Sequence, residues 1–286
     1  MRAIGWTRGW PDVALLAAAT LGSACASAPS PPRVVPFPEV SASAERPAGL
    51  FTTYSKALDL VLRVMESELG LPTLHGSLRL YPDKESLVAG LTAEGYDAAY
   101  ARRIADTLDG IGTARGILAN DGSLRRQRWP VRIAFLGHEL THVAEYTLAG
   151  GRRGISDQWL REGLAEWVSW TVMESLEMGS IKSRRRTAVQ RVREANRRHR
   201  LPSFSELLAP RSWVVLSSRQ SSNVIYDEAF LAADLLIDTH GLAATLDYFR
   251  LVGSSDDHLA NFSRAFGEER SSFEGEFTDF LARLLK

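Results

Sequence analysis

Residues 135–144 read Phe135-Leu136-Gly137-His138-Glu139-Leu140-Thr141-His142-Val143-Ala144. On a helix, residues four apart share a face, so the imidazoles of His138 and His142 can converge on one ion while Glu139, one step round, points at its open side. The neighbours Phe135, Leu136, Leu140, Val143 and Ala144 are apolar and Thr141 is uncharged, so the helix is built for burial. Two histidines and a glutamate inside a protein require partners. Zinc takes imidazole nitrogen at about 2 Å and, in a hydrolytic site, keeps one coordination position for water. The stretch supplies two ligands and a base, and lacks a third ligand.

That ligand is expected on a second helix, reached after a turn through Gly150-Gly151. Downstream stands Trp159-Leu160-Arg161-Glu162-Gly163-Leu164-Ala165-Glu166-Trp167. Glu162 is the candidate metal ligand. Glu166 lies one turn later on the same face, where it can hydrogen-bond a ligand imidazole and fix its tautomer. The alternative is that both glutamates are solvated on a helix whose opposite face packs Leu160, Leu164 and Trp167.

The pair of motifs resembles the gluzincin metallopeptidases, and within them the peptidase MA-like domains related to the zinc aminopeptidases. Their pattern is His-Glu-x-x-His followed about eighteen to twenty residues later by Trp-Leu-x-Glu-Gly-x-Ala. The resemblance implies one zinc ion per chain held by His138, His142 and Glu162, with Glu139 as general base. Val224-Ile225-Tyr226-Asp227-Glu228-Ala229-Phe230 looks like the tyrosine-containing segment that opens a late helix in those enzymes. Tyr226 thereby inherits oxyanion stabilisation; its other reading is a half-buried tyrosine at a helix start. Leu201–Leu208 is similar to a connector found in such domains. No Gly-x-Met-Glu-Asn segment, which grips a free amine in the aminopeptidases, precedes His138. The resemblance therefore implies an endopeptidase acting on peptide or protein substrates, with a strand at 112–119 placed to pair with an extended substrate. The competing reading is a catalytically silent, zinc-containing envelope scaffold, which would need the ligands but not Glu139.

Around these motifs the chain is expected to be α+β, a small mixed sheet N-terminal to a largely helical zincin region. Apolar spacing predicts a helix over 53–69; the alternation in Ser77-Leu78-Arg79-Leu80-Tyr81 predicts a strand; residues 84–108 read as helix broken near Gly95. Gly112 to Ala119 reads as one strand closed by the turn Asn120-Asp121-Gly122. Helices are expected over 131–149, 157–178, 183–199, 226–239, 242–252 and 271–285. Residues 49–286 form the single expected domain.

Ahead of it lie a signal peptide at 1–24 and a Pro/Ser/Ala-rich tether at 25–48. Arg2 and Arg8 precede an apolar run, Val13 to Ala24, too short to span a bilayer and of signal-peptide pattern. Cys25, the only cysteine in 286 residues, ends Leu21-Gly22-Ser23-Ala24-Cys25, which resembles a bacterial lipobox with Gly22 where a large aliphatic residue is usual. Lipidation at Cys25 would anchor an exported protein to a membrane of the cell envelope; ordinary cleavage after Ala26 or Ala28 is the alternative. One cysteine also excludes an intrachain disulfide and a Cys-rich metal site. The 34 basic and 34 acidic residues cancel, which argues against a nucleic-acid partner. Residues 182–200 depart from that balance, with nine basic side chains against Glu194. They are read either as a contact for anionic lipid or as a solvated helix. His75, His199, His240 and His258 share no ligand-like spacing.

Overall fold

The computed structural model describes residues 29–40, 52–198, 201–209, 213, 215–216 and 222–285. The signal segment, Cys25, His199 and Arg200 lie outside these residues. The architecture is α+β. One four-stranded sheet comprises β1 (Arg33–Pro36), β2 (Ser77–Tyr81), β3 (Gly110–Thr113) and β4 (Gly116–Asn120), in the order β1-β2-β4-β3. β2 and β4 run parallel; both outer pairs are antiparallel.

Side chains alternate across the sheet because the strand repeat is two residues. Leu78, Leu80, Ile117 and Ala119 join the main core. Tyr81 and Leu118 point the other way, into a smaller cluster with Leu87, Leu91 and Ile104. That second cluster belongs to α2 (Lys84–Ala93) and α3 (Ala98–Thr107), separated near Gly95 as the sequence suggests. On the main-core face lie α1 (Tyr54–Arg63), extended by a wider turn over Val64–Glu68, and α5 (Trp129–Leu148).

The helical region follows. α6 (Gln158–Ser175) packs between α5 and α8 (Ser222–Ser254). α7 (Ile181–Arg198), α9 (His258–Phe266) and α10 (Arg270–Leu284) surround them. α8 is broken at Gly241, whose backbone is non-helical at φ 83°, so the two expected helices meet there. Its Val224–Ser254 portion is long and apolar enough to cross a membrane by length and composition alone, yet it forms the centre of this core. Gly163 sets the α6–α8 approach: a Cβ there would lie 2.3 Å from the Ala229 carbonyl oxygen. Trp159, fully buried, stacks on Phe273 at 5.6 Å, so packing accounts for it.

Three expectations need correction, and one helix is added to them. Part of the presumed tether is folded, since Arg33–Pro36 pairs with Ser77–Leu80 as β1. The single strand at 112–119 is a hairpin, β3–β4, which the Thr113 hydroxyl closes on the Gly116 carbonyl at 2.9 Å. The expected turn at Asn120 starts a short helix, α4 (Asp121–Leu124), because Asn120 Oδ1 accepts from the Ser123 amide and caps it. Finally, α9 was not foreseen, although Asp257 caps its start and the left-handed Gly267 ends it.

Candidate metal centre and its cleft

His138 and His142 project from α5 toward α6, which carries Glu162. One donor atom from each of the three lies within 4.8 Å of the others. Glu162 Oε2 is 3.3 Å from His138 Nε2 and 3.7 Å from His142 Nε2. The other nitrogen of each ring is engaged from behind. Glu166 Oε1 lies 3.2 Å from His138 Nδ1, and Glu145 Oε2 lies 3.3 Å from His142 Nδ1. A carboxylate at Nδ1 holds a proton there, so that Nε2, once it loses its own proton to a metal ion, can turn its lone pair to the shared point. The predicted ligands and Glu166 are thus brought together, and the group can hold a metal ion.

Two buried arginines complete the arrangement. Arg161 Nη1 donates to Glu145 Oε2 at 2.6 Å. Arg184 of α7 donates through Nη2 to Glu166 Oε2 at 2.9 Å and through Nη1 to Asp227. Each imidazole is therefore backed by a carboxylate and then a guanidinium. Glu162 is steadied by Gln158 Nε2, which donates to its Oε1 at 2.6 Å. Gln158 is positioned in turn by the Leu201–Leu208 connector, whose Leu208 carbonyl accepts the Gln158 amide at 3.0 Å.

Glu139 does not join the three donors. The Gly112 amide of β3 donates to its Oε2 at 2.6 Å. This needs α5 and the edge strand in near contact: a Cβ on Gly112 would stand 2.3 Å from the Glu139 carbonyl oxygen and 2.9 Å from His142 Cβ. Tyr226, at the start of α8, lies with its ring centroid 6.0 Å from that of His138 and edge-on to Trp213 at 5.2 Å.

Five carboxylates, Glu139, Glu145, Glu162, Glu166 and Asp227, thus face two arginines and two histidines. Burial alone would make the imidazoles less basic. For His138 the hydrogen bonds to Glu162 and Glu166 outweigh burial and hold its pKa well above the ordinary range. For His142, Glu145 and Glu162 do the same, to about 9. Burial pushes Glu139 up and, with Glu162, pushes the Tyr226 phenol well up. Glu162 is driven down, because both imidazoles overcome its burial. The cluster is built around positive charge, which fits a divalent cation as well as its N, N, O donor set does.

The centre opens into a cleft of about 1330 Å³, lined by β3, α3, α7, Trp170 and Trp213 among others. Sequence reasoning missed Gly112, Glu145, Gln158, Arg161, Arg184 and Asp227. Glu145 was recoverable, since it stands three residues after His142 and shares its face. Gly112 and Arg184 arrive from other elements and carry no local signal. The basic segment is also redefined. Arg184 is buried, Arg185 pairs with Asp234 at 2.5 Å, and Arg191 lies 3.6 Å from Asp227, so part of it serves the interior. His240 meets Glu268 at 2.7 Å and His258 neighbours Asp157, both away from the centre. No model of a protein family matches the chain, and no curated protein and no solved structure does so either.

Proposed function

We propose that the protein is a zinc-dependent peptidase that cleaves within peptide chains, exported to the cell envelope and anchored through a lipid on Cys25. The observation that carries this reading is the convergence of His138, His142 and Glu162 within 4.8 Å, with Glu139 beside them and not among them. Two imidazoles and one carboxylate, with room for a fourth ligand, suit zinc. A cleft larger than the roughly 300–1,000 Å³ of small-molecule sites suits a polymer.

When bound, zinc supplies Lewis acidity, which acidifies water and polarises the carbonyl of the scissile bond. The chain's own residues do the rest. With Oε2 fixed by the Gly112 amide, Glu139 keeps Oε1 to take a proton from water and return it to the leaving amine. The Tyr226 phenol, held protonated by its surroundings, donates to the developing oxyanion, a contribution typically worth about 3–4 kcal/mol. β3, at the sheet edge beside the cleft, offers backbone groups to an extended substrate. Lys182, Arg186 and Arg197 of α7 are exposed and would meet anionic headgroups near the anchor.

Metal analysis and cleavage of a quenched-fluorescent peptide library test the reading. Wild type should bind one zinc and cleave. Glu139→Gln should keep the zinc and lose at least about a hundredfold in rate. A wild type that binds zinc and cleaves nothing would be the silent scaffold instead; one that binds no zinc removes the metal assignment. Cys25→Ala should release the protein from membranes, and unchanged fractionation would remove the anchor.

A further inference from the structure

Among the cations that line the cleft, three are already committed. Arg161 pairs with Glu145, Arg184 with Glu166 and Asp227, and Arg191 lies 3.6 Å from Asp227. Arg153 is different. It is exposed in the cleft, and among the described residues no carboxylate lies within ion-pair distance of it. Its Nη2 donates to an uncharged acceptor, Gln158 Oε1, at 2.9 Å, and the Tyr146 side chain lies beside the guanidinium.

The backbone beneath Arg153 is tied down. Arg161 Nη2 donates to the Arg153 carbonyl at 2.5 Å, and Arg161 Nε donates to Ser156 Oγ. The loop between α5 and α6 therefore presents Arg153 from a guanidinium that is itself fixed in the core. Gln158 continues the link to Glu162, which places Arg153 two hydrogen bonds from a metal ligand. A guanidinium has five N–H donors in a planar fork that matches a carboxylate. A carboxylate that enters a cleft shielded from water needs a cation to receive its charge. Arg103 of α3 also lines the cleft, and among the described residues it has neither an ion-pair partner nor a hydrogen-bonded link to the centre.

We propose that Arg153 is a specificity-determining residue whose guanidinium binds a carboxylate of the substrate, so that the cleft selects peptides with a negative charge near the cleaved bond. The inference rests on the peptidase reading and names its substrate class. The carboxylate comes either from an Asp or Glu side chain or from a free C-terminus.

Calorimetric binding to the zinc-loaded Glu139→Gln protein separates the two sources and does not require cleavage. Three forms of one peptide serve as probes: neutral with an amidated C-terminus, the same with a free C-terminus, and amidated with Glu placed at each position in turn. One charged form should bind at least tenfold more tightly than the neutral one. Adding Arg153→Gln should level the forms, Arg153→Lys should retain part of the preference, and Arg153→Glu should favour a lysine-bearing peptide. The proposal is overturned by equal binding of all forms, by no binding of any, or by a preference that survives Arg153→Gln and disappears in Arg103→Gln. Charge-selective binding without cleavage by wild type would remove the peptidase reading and leave Arg153 in place; cleavage without charge preference would do the reverse.

Discussion

Arg161 and Glu145 form a buried ion pair, with Nη1 2.6 Å from Oε2 and side chains 2% and 0% exposed. The same Oε2 faces His142 Nδ1 at 3.3 Å, so the charge that orients the ligand imidazole is held by a second charge with no access to water. Replacing Glu145 with Gln keeps its volume and removes the negative end. Zinc affinity should fall by about 10- to 100-fold, read by competition with a chromophoric chelator. An unchanged affinity would show that His142 is oriented by packing alone.

Arg184 ties α6 to α8 by holding both Glu166 and Asp227. Breaking a buried pair by removing one partner typically costs about 3–5 kcal/mol, because the remaining charge is left uncompensated. Arg184→Met should therefore lower unfolding stability by that order in denaturant titrations. Adding Asp227→Asn should recover part of the loss, since the two changes share one interaction. Strict additivity would contradict the bridge.

Gly112 lets β3 lie against α5. With Ala there, the new Cβ would meet the Glu139 carbonyl at 2.3 Å, a backbone contact that no rotamer change relieves. Gly112→Ala should cost about 1–3 kcal/mol and should detach the amide from Glu139. Zinc should still bind while peptide cleavage falls. Wild-type stability together with wild-type turnover would mean that the strand moves aside freely.

Glu228 sits in the core of α8 at 3% exposure, with Oε2 unpartnered. Burial, reinforced by Glu206, raises its pKa to about 8. Between its unfolded value near 4.5 and about 8 the native state holds the proton that the unfolded chain has released, so stability falls as pH rises through that window and then levels. Glu228→Gln should flatten this slope. Its melting temperature should exceed that of wild type at pH 9 by more than at pH 5, and parallel pH profiles would exclude the effect.

The helices were legible because their periodicity and ends are local. Pro130 within the first turn of α5 and the break at Gly241 mark boundaries that any neighbours would leave in place. The ligands His138, His142 and Glu162 were legible for the same reason, since spacing along two helices fixes which faces they occupy. β1 was not, because Arg33-Val34-Val35-Pro36 lies in a Pro-rich stretch and becomes a strand only through its pairing with β2. The hairpin was hidden by glycines at 110, 112 and 116, which weaken any strand pattern. The arginines behind the imidazoles were hidden by distance: Arg184 is 46 residues from His138, and its sequence neighbours advertise only a basic surface.

β1 also sets a length. A lipid on Cys25 would connect to the folded body at Arg33, eight residues on, and an extended chain of that length spans at most about 28 Å. Had the leash run to Tyr54 at the start of α1, it would have reached about 100 Å. An anchored molecule would work within a shallow layer above the bilayer, confined to whatever lies flat on that membrane or is delivered to it.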